Sequence, residues 1–384
     1  MNIGFVFINL GPYHFARLKG AEIVCKQNQI NLFVIQLSDH TFEHPWGDFN
    51  NKLDSQVITL LSKKDIKNTS LRNCPYSTVA RQLEKLNPDI LFIPGWSFDI
   101  SKKCMKWSKK NNVKCVLMSE SKYDDKKRFS IVELYKKLFI IPNFHAALVG
   151  GEDHLLYLYK LGMDKKKIFK GYDAVDNQYF FNKASYVRDN KQEFIDKFPN
   201  LPKNNFFLSV TRLIPRKNIK NLIYAYKDYI NINKEKSWDL VICGSGKEFS
   251  KLLQLGKDLM IDHKIHLLGF VPYESISIFY GLADCFIHPA IDEQWGLVMN
   301  EACAAALPVL SSKTVGASKD LSKENLNGFN FDPLDICSIT NALCKMSELS
   351  IIQRKDMSEN SIKLVDKLSP ENFGKSVLNI TNSI

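Results

Sequence analysis

The sequence predicts an α/β fold built from two Rossmann-like doubly wound domains facing each other across a cleft. Three observations predict it. Short, continuous, β-rich apolar runs recur with helical segments between them, the signature of parallel strands buried on both faces. At 384 residues the chain is too long for one compact core and suits two domains of ordinary size. The runs also fall into two series separated by a polar stretch, NKASYVRDNKQEFIDKFPNLPKN, at 182–204.

In the first series the strands are expected at Ile3–Asn9, Asn31–Leu37, Gln56–Leu60, Asp89–Pro94, Val113–Ser119 and Ala146–Gly150. In the second they are Phe206–Thr211, Trp238–Cys243, Ile265–Leu268, Cys285–His288 and Pro308–Ser311. The stretch from Ser369, opening Ser-Pro-Glu-Asn-Phe, reads as a capped terminal helix that crosses back onto the first domain. The expected division is therefore 1–182 plus 369–384 for the first domain and 204–368 for the second. Ligands of open parallel sheets gather at the carboxyl ends of strands. Gly11, Gly95, Glu120, Gly150-Gly151, Arg212, Gly244 and Glu293 each follow an expected strand.

Hydrophobic content of 45% and charged content of 24% are those of an ordinary globular protein, and no apolar run approaches the length of a membrane span. The apolar start NIGFVFINL has no basic n-region and no small-residue cleavage site, so it reads as a buried strand. Nine cysteines, an odd number with no C-x-x-C pair, point to reduced thiols in a cytoplasmic protein. The net charge of +11 is uneven: residues 1–180 hold 27 Lys and Arg against 18 Asp and Glu. The basic pairs and triples Lys102-Lys103, Lys109-Lys110, Lys126-Lys127-Arg128 and Lys165-Lys166-Lys167 all lie there. Such a half attracts an anionic membrane face or an acidic acceptor, or is simply a solvated lysine-rich surface. It lacks the interleaved aromatics and recognition-helix pattern of a nucleic-acid binder, so no nucleic-acid partner is expected.

The chemistry concentrates in HPAIDEQWGLVMNEACAAALPV. Glu293 and Glu301 bracket a short loop and the start of a helix. Carboxylates accept paired hydroxyls and helix N-termini attract anions, which suits a polyhydroxylated, phosphorylated ligand; a solvated helix face is the plainer alternative. Upstream, in SVTRLIPRKNIKNLIYAY, Arg212 follows a strand and Lys217 opens an amphipathic helix carrying Ile219, Leu222, Ile223 and Tyr226 on one face. An Arg fork and a Lys point charge together can neutralise a diphosphate without a metal. In VICGSGKEF the third glycine of a dinucleotide fingerprint is missing, and Gly244 reads instead as a turn that lets a base or ribose approach the backbone. At the first strand's end, Gly11 could admit a phosphate or sugar, and His14 could bond a sugar hydroxyl or merely cap the helix.

VTRLIPRKNI, VICGSGKE and HLLGFVPYESISIFYGLADCFIHPAIDEQWGLVMNEACAAALPVLSS follow one another in the order and spacing of the family 4 glycosyltransferases, which they resemble over most of 204–335. That family is retaining and of the two-Rossmann (GT-B) type. The resemblance implies that Arg212 and Lys217 hold the donor diphosphate, that Glu293 contacts donor-sugar hydroxyls, and that Glu301 accepts from the ribose. It implies that the backbone around Trp295, Gly296 and Leu297 meets sugar and phosphate, and that Val271 lies by the base. A hexosyltransferase follows as the expected activity, using a nucleotide sugar as substrate, no cofactor and no metal. Its acceptor is expected to be a glycan or lipid-linked, in cell-surface polysaccharide synthesis at the inner membrane face. The chain departs from the family pattern at Gln294-Trp295, where Gly-Phe is usual. It also has Met118-Ser119-Glu120-Ser121 where many relatives carry a His on the donor sugar. Glu120 then touches the sugar, orients the acceptor hydroxyl, or caps a helix.

Two patterns compete. His40-Thr-Phe-Glu43-His44 fits the H-x-x-E-H zinc pattern, but Pro45, Trp46 and Gly47 follow at once and break the helix that pattern needs. His263 and His266 have no third ligand nearby and read as surface or edge residues. No D-x-D occurs, which favours the cationic route to a diphosphate. The rival functions are a nucleotide-sugar epimerase or hydrolase, with the same diphosphate grip, and a non-catalytic basic binder of membrane or nucleic acid.

Overall fold

The apolar runs form two all-parallel sheets in a computed structural model, which describes residues 1–39, 53–61, 74–125, 127–198 and 201–384. Two units result: Met1–Asp176 with Leu368–Ile384, and Asn177–Lys367.

The first unit holds β1 (Asn2–Phe7), β2 (Asn31–Ser38), β3 (Gln56–Leu61), β4 (Ile90–Pro94), β5 (Lys114–Ser119), β6 (Ala146–Val149) and β7 (Ile168–Lys170), in the order β3-β2-β1-β4-β5-β6-β7. Alternate side chains feed opposite faces, as a pleated strand requires. Val6, Ile35, Leu91, Ile93, Leu117 and Val149 pack one way, against residues such as Val79, Ile100, Cys104 and Leu158. Phe5, Phe7, Val34, Phe92, Val116 and Leu148 pack the other way, against Leu18, Ala21, Phe373, Val377 and Ile380. The last three belong to the terminal helix Pro370–Ser383, capped by the Ser369 side chain. It crosses the helix Pro12–Gln27 at two glycines: a Cβ on Gly20 would stand 1.9 Å from the Pro370 carbonyl oxygen, and one on Gly374 2.3 Å from that of Gly20.

The second unit holds β8 (Phe206–Val210), β9 (Asp239–Cys243), β10 (Ile265–Gly269), β11 (Cys285–His288), β12 (Val309–Ser312) and β13 (Gly328–Phe331), in the order β10-β9-β8-β11-β12-β13. The helix Ile219–Asn233 buries Ile219, Leu222, Ile223 and Tyr226 as its periodicity predicts. In both sheets the strand order reverses beside the first strand, at β1/β4 and at β8/β11, the switch point where doubly wound folds bind ligands.

Two expectations are corrected. The chain divides at Asp176/Asn177, not within 182–204. The polar stretch is mostly the helices Asn177–Asp189 and Lys191–Lys197, and the first buries Phe180, Ala184 and Val187. It packs so closely on the helix Tyr273–Leu282 that a Cβ on Gly281 would lie 2.6 Å from Val187. Its outer face supplies the polar residues that look like a linker. The sequence reading also lacks β7 and β13, three- and four-residue edge strands too short to show a pattern.

Candidate functional site

The switch point of the second sheet is assembled from two loops. After β8 the chain runs through Thr211 and Arg212 to a 3-10 turn at Pro215–Lys217, then to Asn218, whose left-handed φ of 61° ends the turn and starts the next helix. After β11, His288 leads through Pro289 and Asp292 to Glu293. The Asn218 amide ties the loops together by donating to the carbonyls of Pro289 (3.1 Å) and Pro333 (2.7 Å). Ile291 N–H donates to the Arg216 carbonyl (2.9 Å), and Arg216 returns a bond to the Asp292 carbonyl (3.1 Å). On the far side Glu293 bridges Val315, and Gly316 N–H donates to the Glu293 carbonyl (3.1 Å). Gly316 comes so near that a Cβ there would stand 1.7 Å from the Gln294 carbonyl oxygen.

This clamp brings Lys217, Glu293, Arg216 and His288 into one cluster. The Lys217 ammonium pairs with Glu293 Oε2; Arg216 Nη1 lies 3.9 Å from Glu293 Oε1 and His288 Nε2 3.5 Å from Oε2. Burial, then the guanidiniums of Arg216 and Arg212, push the Lys217 ammonium down to about 7, against the pull of Asp292. Burial drives the His288 imidazole well below its usual range, with Lys217 and Arg216 adding to the effect, so this ring is neutral. Arg212 is exposed. The cluster is thus a partly buried cationic site with one carboxylate, able to hold a phosphorylated ligand and bond its hydroxyls.

Gly296 heads the helix Leu297–Ala304 with φ 97°, and a Cβ there would crowd Glu293 Cγ (3.3 Å) and His288 Nε2 (3.5 Å). Glycine is required both for the backbone angle and for the carboxylate to lie alongside. The N–H groups that open this helix point out of its N-terminus, where anions are favoured. The Trp295 side chain is not part of the site surface: it is 1% exposed and its indole N–H donates to Asn300 Oδ1 (2.8 Å). Glu301 is 2% exposed, one oxygen accepting from the Tyr280 hydroxyl (2.7 Å). Val271 lines a cavity of about 400 Å³ with Phe198, Leu201, Phe270, Pro272 and Phe279. Two of these walls come from the stretch read as a linker.

Gly244 has a role in the chain's own packing. A Cβ on it would stand 1.7 Å from the Thr211 carbonyl oxygen, and one on Gly246 2.3 Å from that of Leu213. The backbone that these glycines admit is the chain's own. They let the Gly244–Gly246 turn lie against the loop that carries Arg212, with Leu213 N–H donating to Ser245 (2.8 Å).

In the first unit, Gly11 and His14 meet, but as a helix start. The Gly11 N–H donates to His14 Nδ1 (3.0 Å), so the capping alternative is the one observed. The same Gly-x-x-His device recurs at Gly151 and His154 (3.2 Å), a repeat legible in the sequence. Glu120 caps no helix, the next one starting at Ser130. It faces Asp173, a fully buried carboxyl raised well above the usual range by burial and then by Glu120. Arg17, 3.2 Å from Asp173 Oδ1 and 4.4 Å over the Tyr172 ring, opposes that rise. Arg17 and Asp173, like Arg216 and His288, are missing from the sequence reading. Their only signal is position beside a strand or in the first helix. His266, on the edge strand β10, bonds Asp239 of β9 (2.9 Å). His40 and His44 lie outside the described residues. Among the described residues no group of three or more metal-capable side chains occurs.

A doubly wound parallel unit with cations, a carboxylate and a helix start at its switch point defines a class: proteins that hold phosphorylated, hydroxyl-rich ligands. Residues 190–364 match the family described as glycosyl transferases group 1. The second unit is therefore similar to the group 1 glycosyl transferases. It is 25% identical over 225 residues to the alpha-monoglucosyldiacylglycerol synthase of Streptococcus pneumoniae, 58% of this chain and 48% of that protein. It is 34% identical over 128 residues to an O-antigen chain mannosyltransferase of Salmonella typhimurium, 33% of this chain and 34% of that one. The chain spans about half or less of the length of these relatives. Its fold is that of the Anabaena protein HepE, solved with UDP and glucose, at a TM-score of 0.72 and 16% identity over 100% of both chains.

Proposed function

We propose that the chain transfers a hexosyl group from a nucleotide-diphosphate sugar to a glycan or lipid-linked acceptor of a cell-surface polysaccharide or glycolipid, with retention of configuration. The observation that carries this reading is the Lys217–Glu293 pair, flanked by Arg216, Arg212 and His288 at the β8/β11 switch point. In the reaction the bond from the anomeric carbon to the diphosphate oxygen breaks and one to the acceptor oxygen forms. The acceptor proton passes to the departing diphosphate. Charge therefore grows on the leaving group, and Lys217 and Arg212 are the cations placed to stabilise it, without help from a metal. Glu293 and the helix start at Gly296 hold the sugar, Glu301 takes the ribose, and Val271 lies by the base. The acceptor is taken at the inner face of an anionic membrane. A relative named for a glycolipid product and another for O-antigen chains support the acceptor class.

Thermal stabilisation by UDP-, GDP- and ADP-sugars, in chelator, tests the donor site, because a ligand of the folded state raises its stability. A shift with one nucleotide family, lost in Arg212→Ala and Lys217→Ala, is expected. No shift with any of them overturns the donor assignment. Donor isomerised or hydrolysed equally well without acceptor would favour the epimerase or hydrolase reading. The anomeric configuration of the product, read by NMR, tests retention.

A further inference from the structure

The helix Ser130–Tyr135 and the π turn Lys136–Ile140 that continues it present their side chains inside out. Ile131 is 84% exposed, Phe139 62% and Phe129 60%, and Leu134, Tyr135 and Leu138 are each more than half exposed. The charged residues turn inward instead. Lys136 is 8% exposed; its ammonium donates to Glu133 Oε1 (2.6 Å) and to the Tyr157 hydroxyl (3.0 Å), which donates to Glu133 Oε2 (2.8 Å). Arg128 stacks over the same Tyr157 ring at 4.5 Å and pairs with Asp125. This ionic knot fixes the rotation of the helix, and the rotation it fixes is the one that leaves the apolar stripe uncovered in the first unit.

The surroundings of the stripe are basic and aromatic. Lys127 lies 5.6 Å from the Phe129 ring centroid, Lys160 3.5 Å from that of Tyr123 and Lys165 4.6 Å from that of Tyr159. Tyr123 and Tyr159 are themselves half exposed. Lys137, on the stripe, is exposed, whereas the exposed acid Asp124 is bonded to Lys122. Leu138 and Phe139 also wall a cavity of about 330 Å³ shared with Lys109 and His145. A buried protein interface depletes Lys, while an anionic bilayer surface favours apolar side chains at the acyl boundary, Tyr at headgroup depth and Lys around both.

The geometry points to Phe129–Ile140 as a membrane-docking surface that inserts its apolar stripe into an anionic lipid bilayer, with the surrounding lysines on the headgroups. This rests on the reading that the acceptor is taken at a membrane face, and it names the element that makes the contact. The test is co-sedimentation of the whole chain with vesicles of phosphatidylcholine alone and of equal parts phosphatidylcholine and phosphatidylglycerol. Binding to the anionic vesicles, weakened by salt, is expected. Ile131→Glu with Phe139→Glu should lower it roughly tenfold or more, as loss of buried apolar area requires, while melting temperature and donor-induced stabilisation are unchanged. Lys127→Ala with Lys137→Ala should reduce the preference for anionic over neutral vesicles. Failure of the wild type to sediment, or vesicle binding by the double glutamate variant equal to wild type, overturns the proposal. So does a dimer in sedimentation velocity that the glutamates dissolve, since the stripe would then face a second copy. The donor-induced shift reads the glycosyltransferase assignment separately, so either can fail alone.

Discussion

Lys217 is brought close to losing its charge by what surrounds it. With its ammonium lowered to about 7, the free site loses its buried cation as pH rises through neutrality, and a bound diphosphate restores the proton. Donor affinity should therefore fall from pH 6.5 to 8.5 by roughly tenfold, and binding at the higher pH should take up a proton. Calorimetry in buffers of different ionisation enthalpy reads that uptake; its absence would show that Lys217 keeps its charge. The sign for stability follows from the same shift. Below about 7 both folded and unfolded chains hold the proton, and the burial penalty is in force; between about 7 and 10.5 only the unfolded chain holds it. Stability then rises with pH through that window. Lys217→Arg, which does not titrate there, should lack this rise in denaturant titrations at pH 6 and pH 9. Glu293→Gln leaves the ammonium without its counter-ion and should cost about 1–3 kcal/mol of stability along with donor binding.

At the scale of elements, the loop from His288 to Gly296 is rigid because its neighbours fit around it. Gly316→Ala would drive a methyl into the Gln294 carbonyl, so the Glu293 loop must move. The expected result is a stability loss of about 2 kcal/mol or more and a weaker donor-induced shift, both measurable in one thermal experiment. His14→Ala offers a contrast. It removes the acceptor for the Gly11 N–H and should cost about 0.5–2 kcal/mol, as loss of a helix cap does, with donor affinity unchanged. A change in donor affinity without a change in stability would instead put His14 on the sugar. The strands of these elements were legible because continuous apolar runs mark buried parallel strands, and the helix carrying Ile219 and Tyr226 because its period is clear. The seam was misplaced because a helix with a narrow buried stripe, here Phe180, Ala184 and Val187, reads as polar when its other residues are counted.

For the molecule as a whole, the terminal helix belongs to the unit that the chain left at Asp176, and it covers Phe5 and Phe92 with Phe373, Val377 and Ile380. Removing 369–384 should unfold or aggregate the first unit while the second keeps a nucleotide-dependent melting transition. Calorimetry of the truncated chain reads both transitions. A single unchanged transition would show that the helix is dispensable.

Local pattern decided much of this protein. The alternation of apolar runs and helices set two parallel sheets, and residues fixed in order along 204–335 marked the family that the second unit resembles. Arg212, Lys217, Glu293 and Gly296 were visible because each follows a strand or opens a helix, positions that the chain direction alone assigns. What the tertiary structure alone decided is who faces whom. Glu293 meets Lys217 and Arg216 only because β8 and β11 are adjacent in the sheet though far apart in sequence. Asp173 likewise meets Arg17 and Glu120 from far along the chain. Gly244 and Gly246 are glycines for the backbone of Thr211 and Leu213, a contact that no local pattern encodes. The outward turn of Ile131 and Phe139 is set by the Lys136–Glu133–Tyr157 knot. Read by itself the segment's apolar residues would have been assigned to a core, because sequence periodicity gives a stripe but not the direction it faces.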